Sequence, residues 1–220
     1  WKNSEYASPF SHKNEKAHAG YYEVLLKKHN INAALTTSFR SGMHAYTFDA
    51  SATEGKVLLD LKHRDEVLES SFELINEYEV RGMRRSKSWA SNQILYFYMK
   101  FEKPIKTYGI ALNDVLQNNL RSASGKNIKA YFSFDVSSNK AVQVKVGISG
   151  VSMENAKLNL DAEIPHWNFA TVKQKAEDEW NKELGKIEVK GGTPEQQVAF
   201  YTALYHASVA PNIYTDVNGE

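Results

Sequence analysis

The run Ala141-Val-Gln-Val-Lys-Val-Gly-Ile-Ser149 alternates apolar and polar side chains, and that period of two commits it to an extended strand rather than a helix. Val142, Val144, Val146 and Ile148 fall on one face and Gln143 and Lys145 on the other, which reads as a half-buried strand. Ile94-Leu-Tyr-Phe-Tyr-Met99 is instead apolar on both faces, as a strand with a layer on each side requires. Similar short runs at 21–26, 32–39, 44–48, 56–61, 70–75 and 129–134 are separated by clusters of Gly, Asn, Asp and Ser. Strands in series without alternating helices predict a mainly β fold, a large antiparallel sandwich rather than a parallel α/β sheet.

The period changes after Pro165. Val172, Ala176, Trp180 and Leu184 recur every four residues with charges between them, predicting an amphipathic helix that Gly185 closes. A short extended piece, 186–190, and Gly191-Gly192 follow. Thr193-Pro-Glu-Gln196 then reads as a helix start, with Thr193 as N-cap, Pro194 in the first turn and Gln196 completing a capping box. From Val198 to Val209 apolar side chains fall on every side, so this helix is expected either to pack on the sandwich, the preceding helix or a second copy of the chain, or to be poorly ordered.

With 220 residues and 42% hydrophobic content, the chain suffices for one large domain or a domain with an appendage. Its 27 basic and 26 acidic residues give a net charge of +1, so bulk electrostatics recommend neither nucleic acid nor an anionic membrane. The absence of cysteine excludes disulfides, thiolate metal sites and a cysteine nucleophile. No apolar run approaches the roughly 20 residues that span a bilayer.

Few residues stand out for chemistry. His12 and Glu15, three apart, could share a face and bind a cation, although a polar turn ordering the chain before the first strand explains the spacing better. His63-Arg-Asp-Glu66 reads as a solvated loop or local ion pair, and His206 as a hydrogen-bonded core histidine. Gly82-Met-Arg-Arg-Ser-Lys-Ser-Trp-Ala-Ser-Asn-Gln93 is more suggestive, because a loop-like segment there would set two guanidiniums, an indole and two amides together. That inventory suits a sugar, whose C–H faces stack on Trp and whose hydroxyls meet planar donors and acceptors. An ion-pair network around Arg84 and Arg85 with Trp89 in the core fits the same residues.

Ordered blocks carry a more specific signal. Ser8-Pro-Phe-Ser-His-Lys-Asn-Glu-Lys-Ala17, Gly20-Tyr-Tyr-Glu-Val24, His63-Arg-Asp65, Gly82-Met-Arg-Arg-Ser-Lys-Ser-Trp89, Val146-Gly-Ile-Ser149 with Glu154-Asn-Ala156, Ala162-Glu-Ile-Pro-His-Trp167, and Phe200-Tyr-Thr-Ala-Leu-Tyr-His206 with Ala210-Pro-Asn212 span nearly the whole chain. Together they resemble the calcium-dependent α-mannosidases of glycoside hydrolase family ninety-two. The resemblance implies a galactose-mutarotase-like supersandwich over 1–164, a helical linker over 165–192, and the start of a truncated (α/α)6 catalytic barrel over 193–220. It implies a cleft between sandwich and barrel in which an exo-acting enzyme releases α-linked mannose with inversion from oligosaccharides or N-glycans.

On that resemblance the acid, base and calcium ligands of the parent are expected after Glu220, so no catalytic or metal residue and no cofactor is assigned within 1–220, and the piece alone is expected to be inactive. His12, Glu15, Arg85 and Trp89 are the candidate sugar contacts. The expected partners are a mannose-containing oligosaccharide, the barrel itself and, through the last helix, another copy, in a bacterial periplasmic or extracellular setting. Both termini are expected to be cut, with 216–220 beginning a loop that faces the cleft. The alternative is a non-catalytic carbohydrate-binding or structural sandwich module.

Overall fold

A computed structural model describes residues 1–117 and 119–220, with Asn3 described through its backbone alone. After a short helix α1 (Asn3–Tyr6) and a 3-10 turn (His12–Asn14), the strands follow in series. They are β1 (Glu15–His18), β2 (Tyr21–Leu26), β3 (Ile31–Thr37), β4 (Ser41–Thr47), β5 (Glu54–Asp60), β6 (Glu66–Leu74), β7 (Glu79–Lys87), β8 (Gln93–Phe101), β9 (Thr107–Leu112), β10 (Val115–Gln117), β11 (Ser122–Gly125), β12 (Ile128–Asp135) and β13 (Ala141–Ser149). Three helices close the chain: α2 (Met153–Glu163), α3 (Phe169–Leu184) and α4 (Pro194–Ser208).

The strands form two antiparallel sheets. The larger runs β1-β2-β3-β4-β13-β8-β7-β6-β11 and the smaller β10-β9-β12-β5. Between them lie Phe72, Phe101, Phe132 and Phe134, with ring centroids 5.0–6.0 Å apart. Full burial of such a side chain stabilises by roughly 2–3 kcal/mol, so these rings are the densest contribution to the sandwich core. The mainly β architecture read from the sequence is therefore the one observed.

A third layer covers the other face of the large sheet. Ala156 and Leu160 from α2, Ile164 at its C-cap and Val172 from α3 pack on Met43 and Tyr98, which point away from the phenylalanine core. The double-sided apolarity of β8 has this cause: Phe97, Met99 and Phe101 face the sandwich interior while Tyr98 faces the helices. Helix α3 opens on the Asn168 N-cap and ends at Gly185, whose amide bonds the Asn181 carbonyl. The Thr193–Gln196 capping box of α4 is formed as its sequence specifies.

Five details depart from the sequence reading. β13 is not half-buried, because α2 lies over its second face: Lys145 is buried, donates from Nζ to the Ile164 carbonyl at 2.8 Å and sits 4.4 Å from the Trp167 ring centre. Ile148, by contrast, is exposed at the strand end. Helix α2 has no counterpart in the periodicity, since its buried Asn155 and Asn159 interrupt the apolar stripe. Residues 82–87 continue strand β7 instead of forming a loop, because Arg84 is satisfied from within the fold by the Leu61, His63 and Asp65 carbonyls. His206 lies exposed on α4 rather than in the core, for α4 rests on α3 along one edge only, through Trp180 and Tyr205 at 4.7 Å, and buries none of its residues.

The helix layer approaches the sheet most closely at Gly147, where an added Cβ would stand 2.2 Å from the Ala156 carbonyl oxygen and 2.7 Å from Leu160 Cβ. Gly147→Ala is predicted to push α2 off β13 and destabilise the fold by about 1–3 kcal/mol, read as a lower urea midpoint with unchanged m. An unchanged midpoint would show that α2 can retreat without cost.

Candidate functional site

The strand register sorts the predicted site residues to opposite ends of the large sheet. Glu15 pairs with Val24, Val24 with Ala33, Ala33 with Tyr46 and Tyr46 with Val142, which leads to the Phe101 end of β8. Arg85 pairs with Ile94 at the other end of β8, beside the hairpin that carries Trp89. Glu15 and Arg85 are also six strands apart in sheet order, about 29 Å at ~4.8 Å per strand.

His12 and Glu15 do meet each other. His12 Nδ1 lies 2.5 Å from a Glu15 oxygen, and the Tyr22 hydroxyl donates to the other at 2.5 Å. These bonds, the Tyr22 one first, hold the Glu15 carboxyl below the usual carboxylate range. The group is a brace at the β1 edge, with Ser11 capping the 3-10 turn. Among the described residues no three His, Cys, Asp or Glu side chains gather closely enough to hold a metal ion.

At the other end several elements converge. Trp89 is 100% exposed at the tip of the β7–β8 hairpin, and Arg85 Nε donates to Asn92 Oδ1 at 2.7 Å beneath it. Trp89 is thus not a core residue, and the ion-pair reading of Arg84 and Arg85 gives way to neutral acceptors. On the same rim Arg40, in the β3–β4 turn, binds Glu163 through NH1 at 2.8 Å and through its backbone amide at 2.8 Å, and donates from Nε to the Thr215 carbonyl at 2.5 Å.

Beside Arg40 lies a buried carboxylate, Asp216. It accepts from Ser149 Oγ at 2.6 Å, Asn155 Nδ2 at 2.8 Å and Asn159 Nδ2 at 2.6 Å. Burial alone would raise its pKa, but the three donors and the nearby Arg40 charge outweigh that and hold it below the ordinary carboxylate value. The Val217 amide in turn donates to Asn159 Oδ1 at 2.9 Å. The sequence assigns no site role to Arg40, Ser149, Asn155, Asn159 or Asp216, although Ser149 and Asn155 stand in the ordered blocks and Asp216 opens the 216–220 loop. Asn155 and Asn159 add a local signal, being four apart and therefore on one helix face behind the Ser152 N-cap.

Comparison with known proteins places this geometry. The model of the glycosyl hydrolase family 92 N-terminal domain matches residues 1–149, and that of the family 92 catalytic domain matches residues 155–220. The chain belongs to glycosyl hydrolase family 92. A family 92 α-mannosidase from Bacteroides thetaiotaomicron superposes with a TM-score of 0.87 at 30% identity, over 96% of this chain and 30% of that one. That enzyme has also been solved in complex with mannoimidazole. An inverting family 92 mannosidase from the same bacterium gives 0.86 at 27% identity, over 96% of this chain and 29% of that one. An uncharacterized secreted glycosidase of Arthroderma benhamiae is 35% identical over 94 residues, 40% of this chain and 12% of that protein. The family 92 chain thus spans under a third of the length of these relatives. None of its helices, among the described residues, is long and apolar enough to cross a membrane.

The family match sets the rim at the meeting of its two domains: Ser149 ends the N-terminal match, and Asp216 lies in the catalytic one. Because the Asp216 carboxyl is depressed when folded, its contribution to stability is complete above the unfolded value near pH 4 and is lost as pH falls through the lower folded value. Wild-type stability is therefore predicted to fall more steeply than that of Asp216→Asn below about pH 4, measured by urea unfolding across pH. Parallel profiles would contradict this.

Proposed function

We propose that the protein is an exported, exo-acting α-mannosidase that releases α-linked mannose from oligosaccharides with inversion, and that this chain provides the sandwich wall of its cleft. The observation that carries the reading is the match of 96% of the chain to solved family 92 α-mannosidases at up to 30% identity. Export is supported by the secreted fungal glycosidase among the relatives. In this reading the sandwich ends near Ile164, residues 165–192 link, and α4 opens the helical catalytic part.

Inversion needs a carboxylic acid that protonates the leaving oxygen and a carboxylate that activates water, about 6.5–9.5 Å apart. Neither role is assigned to a residue of this chain. The family resemblance extends calcium dependence to the protein, with oxygen ligands suited to that cation. Among the described residues no cluster of three His, Cys, Asp or Glu side chains fits it. What this chain offers is recognition. The bare Trp89 ring can stack on a pyranose C–H face, and Arg85 and Asn92 can meet its hydroxyls. His12 and Glu15, the other two candidate contacts, stand at the far end of the sheet, so a sugar unit they meet is not the one on Trp89.

The test is mannose release from α-mannobiose by the protein, with and without chelation. Activity is expected, lost with EDTA and restored by calcium. Trp89→Ala is expected to lower kcat/KM about tenfold, equivalent to ~1.4 kcal/mol, with little change in Tm. Micromolar mannobiose binding without turnover would favour a carbohydrate-binding module instead. Unchanged turnover in Trp89→Ala would remove that residue from the site.

A further inference from the structure

We propose that Asp216 is a positioning residue, the joint by which the sandwich fixes a loop of the catalytic segment at the cleft rim. The inference rests on the mannosidase reading for its kinetic consequence, but its geometry stands without it. Asp216 is only 4% exposed, and each of its three partners is a neutral donor from the sandwich edge or α2: Ser149 at the end of β13, and Asn155 and Asn159 on α2. A buried carboxylate is costly unless its lone pairs are satisfied, so this position tolerates the charge only with those donors in place.

The attachment is two-sided. Asn159 donates to Asp216 and to the Ile148 carbonyl, and its own oxygen accepts from the Val217 amide, so one buried amide ties the strand end to both carboxylate and backbone of the loop. Arg40 holds the preceding residue through the Thr215 carbonyl, and Asn155 also reaches Glu220 Oε2 at 2.8 Å. With Asp216 pinned inward, Tyr214 is left 77% exposed on the rim that carries Trp89. The proposed cleft then carries one exposed aromatic from each part, Tyr214 from the catalytic segment and Trp89 from the sandwich. The sandwich is then part of the active-site scaffold and not an appended module.

Asp216→Asn keeps the shape but turns an amide N–H toward Asn155 or Asn159, neither of whose NH2 groups can accept it. In the whole protein, amide exchange at Val217 and Gly219 is expected to quicken about tenfold or more, while exchange in β12 stays unchanged. On α-mannobiose kcat is expected to fall toward 10²-fold, as for a misplaced scaffold, with KM little altered. Ser149→Ala, which removes one donor of three, should give an intermediate effect on both. Unchanged exchange in Asp216→Asn would overturn the joint. Quickened exchange with unchanged kcat would overturn its positioning role. A wild-type protein inert toward α-mannosides would sink the functional reading separately, and the exchange arm alone would then decide the joint.

Discussion

The contact of α2 with β13 at Gly147 is where the sheet and the helices become one body. Only a residue without a side chain lets the Ala156 carbonyl approach so closely, and once there α2 buries Leu160 and Ile164 against Tyr98 and Met43. Lys145 then loses its water and finds the Ile164 carbonyl and the Trp167 ring instead. Burial depresses the pKa of its ammonium, so the fold keeps a cation here only because a carbonyl and an aromatic face receive it. The same placement of α2 aims Asn155 and Asn159 at the rim, so the polar joint at Asp216 is a consequence of the apolar packing of their chain neighbours Ala156 and Leu160.

Charge is handled differently at the two ends of the large sheet. At the β1 end His12, Glu15 and Tyr22 form a local group near solvent, where such bonds contribute little to stability. At the opposite rim two charged groups are sheltered and bind more than one element: Arg40 joins the β3–β4 turn, α2 and the Thr215 backbone, and Asp216 joins β13 and α2, while Arg85 stays within its own hairpin. Bonds that cross elements in a low-dielectric setting fix geometry as well as contribute energy. That difference is why the proposed cleft is placed at the Arg40–Asp216 end.

Most of the sandwich is legible in the sequence because burial on one face of a sheet imposes alternation, and Val142 and Val144 obey it. The α4 start is legible for a similar reason, since capping is a local interaction among Thr193, Pro194 and Gln196. What escapes is decided at long range. Strand β7 looks like a loop because Arg84 finds its acceptors in a turn some twenty residues earlier, and α2 looks featureless because its buried face carries two amides. The pairing of His12 with Glu15 is visible from spacing, but its distance from Trp89 is fixed by strand order, which no local pattern encodes. Asp216, a plain acidic residue near a glycine, gives no sign of burial in its own neighbourhood.

In the proposed mannosidase the sandwich rim, with Trp89 on one side and the anchored 213–219 loop on the other, forms a wall of a mannose-binding cleft. Amide hydrogen exchange of the whole protein with and without mannoimidazole tests it most directly. The prediction is slowed exchange at 88–92 and 213–219 on binding, with the β1 end unchanged. Binding that leaves both rim segments unprotected would contradict it.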